Sequence, residues 1–256
     1  MDEKIRTVSI LGAGNVAMHL AAAFVENTVQ VKQVYNRTLT KAQQIGEMYK
    51  IRYTDRISEL EKADLYVITT SDDAIREMSM HIPFDDCLVV HTSGSVDMKM
   101  LQGDFRKGVL YPLQTFTKNR ALEYDEIPFF VEAENAEDER LLVEFAQRIS
   151  NRVRVMNSAE RASMHLAAVW VCNFVNHMFY VGEQTAAKVD IPFDYLKPLI
   201  KETCDKIVDL SPREAQTGPA RRQDFSVLQK HFEMIENSKE QELYKLISDS
   251  IIKNYQ

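Results

Sequence analysis

Several sets of residues in this chain have the types and spacing that chemistry needs. The first is the run Val8-Ser9-Ile10-Leu11-Gly12-Ala13-Gly14-Asn15-Val16-Ala17. An apolar strand that ends in Gly-x-Gly-x-x-Ala and passes at once into a helical pattern is the context a dinucleotide fingerprint requires. Gly12 permits a tight turn, Gly14 lets the backbone approach a pyrophosphate, and Ala17 lets the helix pack close to the sheet. The helix start offers free N–H groups and a positive dipole end to phosphate. Gly12, Ala13, Gly14, Asn15 and Val16 are therefore the expected cradle. A tight turn in an unrelated α/β fold is the competing reading.

The second set is Asn36-Arg37-Thr38, about twenty residues past the glycines, where an NAD enzyme usually carries an acid for the ribose 2′-hydroxyl. The acid is missing and an arginine stands there. A guanidinium holds a 2′-phosphate by two parallel bonds, whereas a carboxylate repels it. That points to NADP over NAD, against the alternative of a solvated turn arginine. Thr70 and Ser71 follow the apolar run Leu65 to Ile68 and are placed to touch the same cofactor. Helix capping by Ser71 and Asp72 explains them equally well.

The third set is His91-Thr92-Ser93-Gly94-Ser95, after the apolar run Cys87 to Val90. Hydroxyls and an imidazole at a strand's carboxyl end belong where substrate chemistry occurs; the alternative is a turn that caps a helix from Val96 to Leu101. His165 and Asn173 lie eight residues apart in a long helical run and are expected on one face of it. Together with His91, Ser93 and Gln114 they would line a crevice in which an imidazole gives a proton. Histidine titrates closest to neutral pH. His165 is the preferred donor, since His91 is needed to shape its turn. Packing at an interdomain interface is the competing account of His165 and Asn173.

The elements that must position these residues alternate. Strands are expected at Val8–Leu11, Val29–Tyr35, Ile51–Tyr53, Leu65–Thr70, Cys87–Val90, Gly108–Phe116, Ile127–Val131 and Arg152–Met156. Helices fall between them. Pro112 and Pro128 place their two strands at an edge or a bulge. From Asn157 onward the pattern is helical throughout. Asn157 and Glu160 form a capping-box signature before a helix to about Lys188, and its stretch Ala162–Val181 is apolar almost all round. His165, Asn173, Asn176 and His177 within it favour a helix buried by other helices or by a second subunit over a membrane span. Further helices are expected at Phe193–Leu210, Ser226–Ile235 and Glu240–Tyr255. Between them the polar loop Ser211–Asp224 carries three arginines suited to a phosphate or a carboxylate, or simply solvated. Domains are expected at 1–156, binding the nucleotide, and 157–256, helical, for substrate and dimerisation.

Composition narrows the class. The chain has 256 residues, 45% of them hydrophobic, and a net charge of −7, which argues against nucleic acid or an anionic membrane as the main partner. Three scattered cysteines, Cys87, Cys172 and Cys204, read as reduced core thiols of a cytoplasmic protein. Met1-Asp2-Glu3-Lys4 is expected to lead straight into the first strand, so no signal peptide is expected. No metal site is expected.

On Gly12 to Ala17, Asn36-Arg37-Thr38 and the Thr69–Ala74 segment, the first half resembles the NADP-binding domain of pyrroline-5-carboxylate reductases, β-hydroxyacid dehydrogenases and deazaflavin-dependent NADP reductases. The whole chain more closely resembles a bacterial group of NADP oxidoreductases with a Rossmann-like domain and a helical C-terminal domain of uncharacterised function. That likeness rests on His91 to Ser95, Tyr111-Pro112-Leu113-Gln114-Thr115-Phe116, His165 with Asn173, and Thr217-Gly218-Pro219 through Asp224. It implies a Rossmann-like, doubly wound, mainly parallel sheet followed by an all-α domain, and NADP as cofactor. The catalytic lysine that β-hydroxyacid dehydrogenases place four residues before an asparagine is Val169 before Asn173 and Cys172 before Asn176. Their mechanism is thus not expected. The leading expectation is hydride transfer between NADP(H) and a small carbonyl or imine substrate by a homodimer. The alternative is an NADP(H) sensor acting through its helical domain; exchange with a deazaflavin is implied by family analogy alone.

Overall fold

A computed structural model describes residues 4–118 and 120–255. Met1, Asp2 and Glu3, expected to lead into the first strand, lie outside the described residues. The chain forms two compact units, Met1–His177 and Met178–Gln256.

The first unit is built on eight strands: β1 Thr7–Leu11, β2 Gln30–Tyr35, β3 Arg52–Thr54, β4 Leu65–Ile68, β5 Leu88–His91, β6 Arg106–Pro112, β7 Phe129–Ala133 and β8 Val153–Val155. Their order in the sheet is β3-β2-β1-β4-β5-β6-β7-β8. All neighbours run parallel except β6 and β7. This is a Rossmann-like, doubly wound, mainly parallel sheet, and the helices α1 Asn15–Glu26, α2 Leu39–Tyr49, α3 Ile75–Met80 and α4 Ala136–Ala146 connect its strands.

The central strands are apolar on both faces, as strands covered on both sides must be. Val8, Ile10, Val67 and Val90 join Leu20, Phe24, Leu142 and Phe145 in one cluster. Leu11, Tyr66, Ile68 and Val89 join Ile75, Met78 and Phe105 in another. Alanines on α1 (Ala17, Ala21, Ala23) let that helix approach the sheet closely; all three are fully buried. Strand order reverses between β1 and β4, which start neighbouring crossovers to opposite sides. The carboxyl ends of these two strands therefore frame the crevice in which such sheets bind ligands.

Several expectations are corrected. Of the three cysteines expected in the core, Cys87 is buried but Cys172 and Cys204 are exposed. The proline-bearing strands β6 and β7 lie inside the sheet, not at its edge. Pro112 is the last residue of β6 and Pro128 immediately precedes β7, so neither removes a donor from the middle of a ladder. Pro128 still uses its carbonyl, which accepts from Leu113 N at 2.8 Å. The helix expected over Val96–Leu101 is one 3₁₀ turn, Met98–Met100, capped by Asp97.

The long helix begins as expected: Asn157 and Glu160 make both bonds of a capping box at the start of α5 Ser158–Ala168. It continues through a π turn, Val169–Phe174, into α6 Val175–Ala187. The second unit adds α7 Lys197–Asp209, α8 Pro212–Ala215, α9 Pro219–Arg222, α10 Phe225–Met234 and α11 Ser238–Asn254. The segment expected as one polar loop, Ser211–Asp224, thus holds two single-turn helices. Each starts at a proline, whose missing N–H is no loss at a first helical position. No helix among the described residues is long and apolar enough to cross a membrane.

Candidate functional site

A cleft opens at the carboxyl ends of β1 and β4. Gly12, Ala13, Gly14, Arg37, Thr70 and Ser71 are among the residues that line it. Gly12 leaves β1 at φ +126°, and a Cβ there would lie 2.4 Å from Thr69 Oγ1. Only glycine meets both conditions. Gly14 differs: its φ is −87°, and nothing stands within 4 Å of an added Cβ. The space beside Gly14 is open, so the backbone there is accessible to a ligand.

Gly14 occupies the N-cap of α1, no side chain caps it, and no acid sits in the first turn. The first N–H groups of a twelve-residue helix are therefore free for an anion. Thr70 Oγ1 is buried in the same cleft and has no hydrogen-bond partner among the described residues. A buried hydroxyl left without a partner costs about 1–3 kcal/mol. It is the kind of group that a bound polar ligand satisfies. Arg37 is exposed at the cleft and pairs with no carboxylate among the described residues. Asn36 folds its own turn, donating from Nδ2 to Thr38 O at 3.0 Å. Asn15 Nδ2 donates to Phe116 O at 3.0 Å, so its side chain anchors the segment after β6 and leaves its backbone to the helix start. Val16 packs its side chain against the core. Ser71 precedes a 3₁₀ turn without capping it, and Asp72 Oδ2 accepts from Ser95 Oγ at 2.7 Å. The capping expected of Ser71 and Asp72 is absent.

The second constellation lies where β5 and β6 end beside α5. Tyr111 Oη and His165 Nδ1 are 3.0 Å apart, with their rings edge-to-face. His165 is half-buried and Tyr111 is buried. A Cβ on Gly94 would come within 2.6 Å of His165 Nδ1, so that glycine makes room for the ring. Beneath them Arg161 is 1% exposed and pairs with Glu132. It also donates from Nε to Ser93 O at 3.2 Å and from Nη2 to Val96 O. Glu132 accepts from Ser158 N and Oγ as well. These bonds tie β7, the turn after β5 and the start of α5 into one rigid frame. Burial raises the Tyr111 phenol above its usual range, and the Arg161 charge offsets part of that rise.

His91 is fully buried at the end of β5. Burial, reinforced by the Arg161 charge, lowers its imidazole to about 4. It is neutral at pH 7, and its Nδ1 accepts from Ser93 N at 3.2 Å. It shapes the turn through that bond, and its Nε2 is buried with no hydrogen-bond partner among the described residues. Ser93 is nearly as buried, and its Oγ accepts from Ser95 N and Val96 N, both at 3.1 Å. Its hydroxyl closes the turn. Asn173 is exposed and shares no hydrogen bond with His165. Eight residues leave a remainder of about 80° after two turns of a regular α-helix, and the wider π turn between them, which advances fewer degrees per residue, reduces it. Gln114 is exposed, and its Oε1 accepts from Thr115 N at 2.8 Å.

Residues 2–81 match the model of shikimate/quinate 5-dehydrogenase, and residues 127–251 match a domain of unknown function (DUF2520). A crystal structure of a "putative NADP oxidoreductase" from Bacteroides fragilis is 39% identical, with a TM-score of 0.91 over 99% of this chain and 100% of that one. The chain belongs to the family of this Bacteroides fragilis protein. A Thermotoga maritima protein has the same fold at 20% identity, with a TM-score of 0.74 over 97% and 98% of the two chains. So does a reductive aminase from Aspergillus terreus in complex with NADPH4, cyclohexanone and allyl amine, at 15% identity and a TM-score of 0.67 over 98% and 93%. No curated protein matches.

In this family member, Tyr111 and Arg161 are the residues that sequence reasoning passes over. Tyr111 stands in a recognisable motif but reads as part of a strand. Arg161 gives no signal: a lone arginine in a helix's first turns is ordinarily solvated, and only the fold puts Glu132 beside it.

Proposed function

We propose that this protein is an NADP-dependent oxidoreductase that moves a hydride between NADP(H) and a small carbonyl or imine. The observation that carries the reading is one cleft holding four features that suit one ligand. They are the open backbone at Gly14, the uncapped start of α1, the orphan Thr70 hydroxyl and the exposed Arg37. The first three suit a pyrophosphate and its ribose; Arg37 suits a 2′-phosphate. Family membership alongside a protein named for NADP chemistry supports the same cofactor.

A bound NADPH supplies the hydride. Reduction of the carbon of C=O or C=N would leave its heteroatom needing a proton, which a residue of this chain would give. His165 is our proton donor, because it is the half-buried histidine of the frame and it has a hydroxyl partner. His91 and Ser93 build the turn against which it lies. Asn173, exposed on the π turn, is retained as a substrate contact on sequence grounds alone. A second copy of the chain is proposed to cover the apolar residues that the helices leave exposed.

Thermal shift against NADPH, NADP⁺, NADH and NAD⁺ is the first test, followed by a carbonyl and imine panel read at the nicotinamide absorbance. A ligand at about one hundred times its dissociation constant adds about 2.7 kcal/mol of stability. NADPH is expected to stabilise more than NADH. Charge-assisted hydrogen bonds contribute roughly 1.5–3 kcal/mol, so Arg37→Ala is expected to weaken NADPH binding about ten- to hundredfold and to leave NADH nearly unchanged. Equal wild-type affinity for the two reduced cofactors overturns the NADP assignment. NADPH binding without turnover of any panel member favours the sensor reading.

A further inference from the structure

We infer that Arg213 and Arg221, both held on the ring of Tyr255, form an anion site that takes the phosphate or carboxylate group of a small molecule. All three residues belong to the second unit. The inference does not rest on the hydride reaction proposed above.

The segment Ser211–Asp224 carries three arginines and two acids. Both acids are engaged at helix starts. Glu214 accepts from Ser211 N and Oγ in the capping box of α8, and those bonds lower its carboxyl. Asp224 caps α10 by accepting from Val227 N at 3.3 Å, and it also accepts from Ser226 Oγ. No carboxylate pairs with Arg213 or Arg221 among the described residues. Acids are not scarce, since the chain has 38 of them against 31 lysines and arginines. Lysines of the same unit do find them: Lys197 pairs with Asp194, Lys201 with Asp205 and Lys245 with Asp249.

What Arg213 and Arg221 share is one aromatic ring. Their guanidinium carbons lie 5.0 and 4.5 Å from the centre of the Tyr255 ring. Both distances are in cation–π range. The two charges are therefore within about 10 Å of each other, one Debye length at 0.1 M salt, so their repulsion is only partly screened. A clasp that simply fastened Tyr255 would need one guanidinium. The second adds a repulsion that a bound anion relieves. A guanidinium lying over a ring keeps its edge N–H groups for other partners, and their fork matches a carboxylate or a phosphate.

Short-range bonds hold the group in place. Tyr255 Oη donates to Arg213 O at 2.7 Å and ties the residue after α11 to α8. Ala220, beside Arg221 on α9, is buried. Asp224 N donates to Pro219 O at 2.9 Å and closes the α9 turn. Arg213 and Arg221 are exposed and so accessible to a ligand. Arg222 is exposed as well, but it makes no ring contact among the described residues. The structure thus separates one arginine from the other two.

The test reads the arginine Nε–H resonances of ¹⁵N-labelled protein, assigned by their loss in Arg213→Gln and Arg221→Gln. Inorganic phosphate and acetate are titrated separately, at an ionic strength held constant with chloride. Reading single residues keeps this site apart from the cofactor cleft, where phosphate is also expected near Arg37. The Arg213 and Arg221 resonances are expected to move together and to saturate. Saturation by phosphate assigns a phosphoryl group, and saturation by acetate a carboxylate. Removing either arginine is expected to weaken binding at the other about tenfold. Tyr255→Leu removes the ring and leaves every charge, and a similar weakening is expected. Arg221→Lys keeps the charge and loses the fork; it is also expected to weaken binding, and it serves if Tyr255→Leu does not fold. Arg222→Gln removes a charge and leaves the pair, so little change is expected. Movement that never saturates in either titration overturns the inference. Equal weakening in Arg221→Gln and Arg222→Gln does so too, because diffuse charge would then account for the binding. An affinity unchanged in folded Tyr255→Leu also overturns it. Each of these results can arise while NADPH binds and turns over as proposed.

Discussion

His91 and His165 show how two identical side chains are given different work by their surroundings. Both follow from short sequence signals, and both are candidates for the same proton. The structure buries one and half-exposes the other. That His91 shapes its turn is legible in the sequence; that it is fully buried is not, because burial depends on residues distant in the sequence. Its depressed titration has a thermodynamic consequence. The folded value is about 4, against about 6.5 in an unfolded chain. The neutral ring is what the fold accommodates, so its contribution is fully present above pH 6.5 or so. That contribution is lost as pH falls from there toward the folded value, because only the unfolded chain binds the proton in that window. Between pH 7 and pH 5 this single group is expected to remove about 2 kcal/mol of stability. Urea unfolding of wild type and His91→Gln at the two pH values checks it. The wild type is expected to lose about that much more than the variant. Equal losses would mean that His91 titrates normally.

At the scale of elements, the β1–turn–α1 unit is legible in the sequence, and the reason is physical. Its glycines and small residues answer to backbone geometry within ten residues of one another. The interior places of β6 and β7 are not legible, because Pro112 and Pro128 carry a local prohibition that strand ends escape. The Arg161–Glu132 clamp is hidden for the opposite reason: its partners are 29 residues apart and meet only through the sheet. Gly12 and Gly14 separate folding from binding within one element. Alanine at Gly12 must adopt φ +126° and meet Thr69. Such left-handed backbone costs roughly 1–2 kcal/mol, and the clash adds to it. Alanine at Gly14 meets neither problem, since its φ is −87° and the space beside it is open. Gly14→Ala is therefore expected to unfold like wild type and yet lose the stabilisation that NADPH confers. Gly12→Ala is expected to lose both. Calorimetry with and without NADPH reads the pair. A Gly14→Ala protein that still responds to NADPH as wild type does would remove the pyrophosphate from that turn.

The whole molecule divides its burial unequally. The three apolar clusters of the described residues all lie in the first unit. In the second unit only Ala220 among the described residues is buried. Its helices nevertheless carry apolar residues in number: Val208 is 82% exposed, Leu199 63% and Ile207 55%. On the π turn, Trp170 and Val171 are exposed at 62% and 72%. Helices of this kind draw most of their stability from packing an apolar face, not from propensity. Exposed patches of this extent mark interaction surfaces in proteins that stay in solution. Homo-oligomers are the commonest solution, with a two-fold dimer the commonest among them. A stable dimer interface buries about 1,600 Å² in total, which a few such helices on each copy supply. Light scattering at micromolar concentration is expected to give twice the 29.5 kDa of one chain. Val171→Asp and Val208→Asp each place a charge on an exposed apolar site and are expected to shift the mass toward one chain and to lower the unfolding temperature. A wild-type mass of one chain, with unfolding independent of protein concentration, would show that the exposed helices are stable alone. The oligomeric proposal would then fall, and the cofactor cleft within the first unit would stand unaffected.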